Sequence, residues 1–395
     1  MGRILIAWEL GGGLGHLAVL RPVAESLARR GHRILLAARN LDTARRVFRD
    51  AQVQLTQAPY KSTPVTNPFR PQRSFAHLLH HAGFDDEEEL STMCRAWLRL
   101  IDSFRPDVGM FDHSPTALLA SRGRQMRRVL IGTGFCAPPA DEFLPDMRPW
   151  LPKDSARLER DELLTLRVAN RASSRISKNT LDRLSGIYSQ VDQNYLTTFP
   201  ELDHFGARSN AGYWGTFQEC PGVSPVWPKG SACRVFAYLK PCTGLSETIK
   251  VLGASDHSVV MFAPWANARI RSQFNFANIL FSAQPLDMAA VANECDFAIL
   301  NGTHGATAEL LLAGKPVLQL PIYLEQRLVA RRTIELGAGL KANCTSTLDF
   351  SKKLDAVAHN SEYTSNAKKF AAKYAQHNGF TRFEEMSESI SDLAL

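Results

Sequence analysis

The sequence has no apolar run approaching the roughly 18 residues that span a bilayer. It also lacks the basic, apolar and small-residue layout of a signal peptide, entering an apolar strand directly at Arg3. Cysteine is scarce: seven in 395 residues, an odd count without closely spaced pairs. That excludes a disulfide framework and implies free thiols in a reducing compartment. Together these absences give the expectation of a cytoplasmic protein. No internal repeat and no low-complexity tract is evident. The net charge is +7, yet no nucleic-acid motif or basic-aromatic stripe accompanies it, so nucleic acid is excluded as a partner. The excess is concentrated in residues 1–50, with nine Lys/Arg against four Asp/Glu. Solvated helix faces account for this most simply; an anionic acceptor, or peripheral contact with an anionic membrane, are the functional readings.

What is present is an ordinary globular composition, 45% hydrophobic and 22% charged, over a length that suggests two cores. Strand and helix patterns alternate in the first half. Strands are expected at 3–8, 33–38, 52–57, 107–112, 128–132 and 194–199. Helices are expected at 16–30, 42–50, 74–82, 86–104, from 116, and over 155–190. A Pro- and Gly-rich stretch, 218–232, reads as a linker. Alternation then restarts, with strands at 234–239, 258–262, 278–282, 297–301 and 317–320. This divides the chain into an acceptor-side domain, 1–217, and a second domain, 233–395, whose last helix is free to pack back on the first.

Two strand-to-helix turns carry the chemistry. Near the C-terminus, the strand ending at Leu300 runs through Asn301-Gly302-Thr303-His304-Gly305-Ala306-Thr307-Ala308-Glu309 into an apolar helical stretch. Such a turn offers unpaired backbone N–H groups and the positive end of a helix dipole, a ready site for a diphosphate. Glu309, one turn further in, can accept hydrogen bonds from sugar hydroxyls. Gly314-Lys315-Pro316, an apolar run, Pro321 and Glu325-Gln326 follow. Near the N-terminus, the first strand leads into Gly11-Gly12-Gly13-Leu14-Gly15-His16 and an apolar-periodic helix closed by Gly31-His32.

The C-terminal segment resembles the donor-binding signature of the UDP-glycosyltransferase family, in which His-Gly-Gly is followed by a Ser/Thr, a Glu, Gly-x-Pro, Pro and an Asp-Gln pair. Glu309, Gly314 to Pro316 and Glu325-Gln326 match in register. Asn301 replaces the family's first His, Thr303 its second Gly, Ala306 its Ser/Thr, and Glu325 its Asp. The N-terminal Gly-His pairs at 15–16 and 31–32 also match, with Val19 where the family has Pro. The resemblance implies an α/β GT-B fold, two Rossmann-like domains facing across a cleft. It further implies an inverting, metal-independent transferase that moves a sugar from a UDP- or dTDP-linked donor to a hydroxyl of a small molecule or lipid, with no cofactor beyond that donor.

In this reading His16 is the base, since imidazole titrates near neutrality. Asp112, ending a strand whose tip shares the rim with His16, orients it; Asp107, at the opposite end, reads as a turn residue. The donor falls to Gly12, Gly13, Gly15, Lys240, Asn301, Gly302, Thr303, His304, Gly305, Glu309, Glu325 and Gln326. The family's base-stacking aromatic falls on Ala283, before Gln284-Pro285, so no nucleobase follows; Phe281 is near but equally a core residue. Acceptor contacts are expected from 58–90 and 138–190, where Phe143, Leu144, Trp150 and Leu151 offer apolar surface. His77, His80 and His81 share a helical spacing that could hold a metal, though acceptor-side or surface roles suit them better. The glycine loop could alternatively be a dinucleotide fingerprint, but its last glycine is His16 and no acidic residue ends the second strand. A sugar-nucleotide epimerase, or a catalytically silent nucleotide-sugar-binding partner of another transferase, remain the rival functions.

Overall fold

The structure is a computed structural model that describes residues 1–176, 179–217 and 222–394. The chain divides into two compact units. The first comprises Met1–Phe199, Arg208–Gln218 and Asn378–Leu395; the second comprises Pro200–Ala207 and Glu219–His377. Residues 218–221 of the expected linker lie outside the described residues.

In the first unit six strands form one parallel sheet: β1 (Arg3–Trp8), β2 (Arg33–Ala38), β3 (Gln54–Gln57), β4 (Val108–Asp112), β5 (Arg127–Gly132) and β6 (Gln193–Leu196), in the order β3-β2-β1-β4-β5-β6. β1 and β4 are buried nearly throughout, which is why their sequences read as continuous apolar runs rather than alternating ones. The second unit repeats the arrangement with β7 (Arg234–Tyr238), β8 (Ser258–Phe262), β9 (Ile279–Ser282), β10 (Phe297–Leu300), β11 (Val317–Gln319) and β12 (Gly339–Lys341), ordered β12-β11-β10-β7-β8-β9. Both are doubly wound, Rossmann-like sheets, in agreement with the expected fold class. In each, the strand order reverses beside the unit's first strand: between β1 and β4, and between β7 and β10.

Several boundaries differ from the sequence expectation. β12 was not anticipated, because three residues containing one large apolar side chain carry no periodic signal. The helices expected over 155–190 are a long one, Ser155–Ser174, and a single turn, Gly186–Ser189. The helix expected over 74–82 is a short α-helix, Phe75–Leu79, running into a π-helical turn, His80–Phe84. Among the described residues no helix is long and apolar enough to cross a membrane. The six described cysteines are free thiols.

The helix Leu14–Arg29, which carries His16 in its first turn, is clamped from both sides. Leu17, Leu20, Val23, Ala24 and Leu27 pack on the sheet within one core cluster. Phe383, Met386 and Ile390 of the last helix, Gly379–Leu393, join the same cluster. The Glu384 carboxylate accepts from Ser26 Oγ (2.8 Å), Arg29 (2.7 Å) and Arg30 (3.2 Å) at the end of the first helix. Asn378 caps the last helix by accepting from the Thr381 N–H. The chain's end therefore stabilises the element that positions its beginning. Ile390 is fully buried, so Ile390→Ala is expected to cost about 2–4 kcal/mol through lost burial and a residual cavity, read as a lower urea midpoint. An unchanged midpoint would show that the last helix does not support the first unit.

Candidate active site and donor site

In the first unit the parallel register places Trp8 opposite Asp112, so the ends of β1 and β4 lie side by side at the point where the strand order reverses. His16 Nδ1 lies 2.7 Å from Asp112 Oδ2. A carboxylate only accepts hydrogen bonds, so Nδ1 carries a proton, and in the neutral imidazole Nε2 then holds the lone pair. The imidazole is further fixed by its neighbours. The Trp8 ring stacks at 5.5 Å and 28°, and the His113 ring at 6.1 Å and 5°. Gly11 has φ +86°, and a Cβ there would stand 2.5 Å from His16 Nε2. A Cβ at Gly12 or Gly15 would meet nothing within 4 Å and one at Gly13 only the Gly15 nitrogen at 3.9 Å, so Gly11 is the glycine of this loop whose missing side chain matters for the histidine. Its positive φ was the signal available, but a run of three glycines does not reveal which one adopts it.

Behind the pair lies a buried polar layer that sequence reasoning missed. Glu9, directly after β1, is fully buried; its Oε2 accepts from the N–H groups of Thr116 (3.0 Å) and Ala117 (3.4 Å). Burial pushes its carboxyl up to about 8, so it is neutral at physiological pH. His113 adopts a left-handed backbone conformation, φ +46°, and burial pushes its imidazole down to about 3, with the neighbouring His16 acting in the same direction. Phe75 and Phe135 pack against the His113 ring. Cys136, in the turn after β5, completes the group: among the described residues, His16, Asp112 and Cys136 are the set whose potential metal-ligand atoms lie within 4.8 Å of one another.

His77 and His80 pack on the same ring, Phe69, at 4.6 and 4.2 Å, and the His80 and His81 rings lie 5.9 Å apart; among the described residues the three do not form a group able to hold a metal ion. His77 Nε2 lies 3.2 Å from Asp161 Oδ2, and His80 Nε2 hydrogen-bonds the Asn67 carbonyl at 2.9 Å. His77 and His80 are buried rather than superficial. Phe143 and Trp150 are exposed, whereas Leu144 is core, its N–H held by Glu162.

In the second unit the site again sits where the strand order reverses. The Asn301 side chain accepts from the Lys240 N–H (2.6 Å) and donates to the Leu320 carbonyl (2.8 Å), tying together the ends of β7, β10 and β11. This corrects the expectation that its amide meets phosphate: the side chain is buried and engaged with backbone. Gln326 is corrected likewise, its Oε1 accepting from the N–H groups of Ile322 and Tyr323 at the start of a helix. Gly302, at φ +84°, passes so close to that helix that a Cβ would meet the Gln326 carbonyl at 2.6 Å.

The remaining donor residues point to ligand chemistry. The helix His304–Leu312 begins at the turn, and its N-cap residue, Thr303, makes no side-chain capping bond. His304 is buried, not a surface residue; burial pushes it down to about 4, and it stacks on His204 at 5.5 Å. The half-buried Glu309 side chain makes no hydrogen bond among the described residues, and burial pushes its carboxyl up to about 7. Glu325 Oε1 lies 3.9 Å from His204 Nε2. Lys240 is half-buried at the end of β7. Phe281 packs on the core, and Trp265 donates to the Leu239 carbonyl at 2.7 Å.

No family model and no curated protein matches the sequence. Solved structures do match over nearly their full length. They include the glycosyltransferase VinC in complex with DTDP, at 16% identity over 99% of this chain and 98% of that one, with a TM-score of 0.70. The calicheamicin glycosyltransferase CalG4 matches at 17% identity over 98% of each chain, with a TM-score of 0.70. The spinosyn rhamnosyltransferase SpnG complexed with thymidine diphosphate matches at 16% identity over 99% of this chain and 100% of that one, with a TM-score of 0.65. The chain has the GT-B fold.

Two predictions follow from these sites. Asn301→Ala strands two buried backbone groups and is expected to cost about 2–3 kcal/mol, measured by urea unfolding; a loss below measurement error would remove its stitching role. Glu9 titrates higher in the folded than in the unfolded state, so its contribution is intact below about pH 4.5 and is lost as pH rises through about 8. Glu9→Gln keeps an acceptor but cannot ionise. It should match the parent's stability below about pH 4.5 and exceed it above about pH 8. Parallel stability curves for the two proteins would show that Glu9 is not held neutral.

Proposed function

We propose that the protein is an inverting glycosyltransferase that uses a nucleoside-diphosphate sugar and needs no metal for the transfer. Its acceptor is a hydroxyl of a small molecule or lipid. The observation that carries this reading is the 2.7 Å contact between His16 Nδ1 and Asp112 Oδ2 at the strand-order reversal of the first unit. Asp112 holds the imidazole in the tautomer that leaves Nε2 basic. As the acceptor oxygen attacks the anomeric carbon, Nε2 takes its proton. The bond to the donor's diphosphate breaks, and the electron pair leaves with the nucleoside diphosphate. Asp112 stabilises the imidazolium so formed.

The second unit supports the donor half of the reading. The Thr303–Gly305 turn at the head of a nine-residue helix suits the diphosphate, with Lys240 adding positive charge. Glu309 has acceptor capacity for ribose hydroxyls, and Glu325 for hydroxyls of the sugar. The thymidine diphosphate named for two similar structures makes dTDP-sugars the first donors to test, with UDP-sugars beside them.

The test is release of nucleoside diphosphate with acceptor panels, for the parent and for His16→Ala. Turnover should fall ~100-fold or more in the variant while calorimetric affinity for the nucleoside diphosphate stays within a few-fold. Equal turnover would remove His16 as the base. Conversion of the donor without any acceptor would favour an epimerase. Nucleotide binding without turnover in the parent would favour a silent partner.

A further inference from the structure

We propose that His16, Asp112 and Cys136 form a site for a single borderline-soft divalent cation, zinc foremost, whose occupation silences the base. Three observations converge. The first is the donor set: an imidazole nitrogen, a carboxylate oxygen and a thiol sulfur, all within 4.8 Å of one another. Zinc binds nitrogen, oxygen and sulfur at about 2.0–2.3 Å in tetrahedral array, so the three groups close on one ion through small side-chain rotations. A fourth position is left for water.

The second observation is an unpaired atom. Asp112 Oδ2 is engaged with His16, but Oδ1 is buried and has no hydrogen-bond partner among the described residues. A buried carboxylate oxygen left bare is costly, and a cation satisfies it. The third is the space between the ligands. Gly132 ends β5 at φ +145°, and a Cβ there would stand 2.8 Å from Cys136 Cβ and 3.2 Å from Asp112 Oδ1. Glycine thus leaves the thiol and the carboxylate facing one another. Thr133 Oγ1 lies 3.7 Å from Cys136 Sγ and donates toward it, which fixes the sulfur's orientation.

Binding exchanges protons for metal without redox chemistry: a zinc–sulfur bond forms, and the Cys136 thiol proton passes to solvent. A cation held by His16 Nδ1 and Asp112 displaces the Nδ1 proton, which passes to Nε2, so Nε2 has no lone pair left to act as a base. The silencing rests on the proposed base role; the site itself does not.

Cobalt, a spectroscopic stand-in for zinc, separates the two. The titration uses full-length protein carrying Cys242→Ser, because Cys242 and Cys344 form a second thiol pair with sulfurs 3.8 Å apart. Cobalt should produce tetrahedral visible bands and a thiolate charge-transfer band, displaced by zinc. Adding Cys136→Ser should abolish the charge-transfer band and weaken binding by about 100-fold or more. Asp112→Asn should keep the band while weakening binding, with circular dichroism confirming that each variant is folded. No charge-transfer band, or one that survives Cys136→Ser, overturns the site. If the site binds and transfer in the parent is insensitive to saturating zinc, the silencing is overturned.

Discussion

The hydrogen bond between His16 and Asp112 depends on a constraint set far from either residue: β1 and β4 must be neighbours in a parallel sheet. The two residues are 96 positions apart, and nothing local holds them together. What brings them to one edge is the reversal of strand order, because strands on either side of the reversal send their following chain to opposite faces and leave a crevice at their ends. The pairing of Trp8 with Asp112 sets the height of the carboxylate. The first turn of the helix after β1 sets the height of the imidazole. Packing of the last helix against that same helix extends the constraint to the end of the chain, since a tilt of Leu14–Arg29 would draw His16 away from Asp112.

The second unit solves the same geometric problem with different chemistry. Its strand ends are held by Asn301, whose amide is both donor and acceptor and can therefore bridge the Lys240 N–H and the Leu320 carbonyl. An imidazole in its neutral form also has one donor and one acceptor, so the residue at this position can be exchanged for Asn without losing the bridge. That accounts physically for why the chain departs from the resembling family's His here and still keeps its turn. The backbone N–H groups of Thr303 to Gly305, at the head of the helix, then need no side-chain help from Asn301.

The fold was legible because each central strand is a buried apolar run and each turn is marked by glycine. The dyad was legible because one sequence position follows the first strand and the other closes the fourth, and parallel topology sends both to one rim. Three things were hidden. Asn301 and Gln326 face inward, and residue type alone does not distinguish an amide that binds ligand from one that binds backbone. Glu9 reads as an ordinary carboxylate at a strand end; its neutrality comes from full burial and from two N–H donors 107 and 108 residues away. The spacing of His77, His80 and His81 does bring the first two onto one ring, Phe69, but it does not show that both are buried and engaged with Asp161 and the Asn67 carbonyl.

The buried polar layer of the first unit has a consistent electrostatic logic. A base beside a carboxylate works when the rest of its surroundings add no competing charge. Glu9 is kept protonated and His113 deprotonated, both by burial. Neither group therefore adds a formal charge to the layer. The left-handed backbone at His113 gives this arrangement a conformational cost, of order 1 kcal/mol, that the ring contacts with His16, Phe75 and Phe135 offset. The same layer is what exposes the dyad to metal. Burial strengthens the pull of an uncompensated carboxylate oxygen on any cation that reaches it, and the glycine at 132 keeps a Cβ out from between that oxygen and Cys136. An environment tuned to hold one shared proton between a carboxylate and an imidazole is, by the same physics, tuned to hold a small divalent ion in that proton's place.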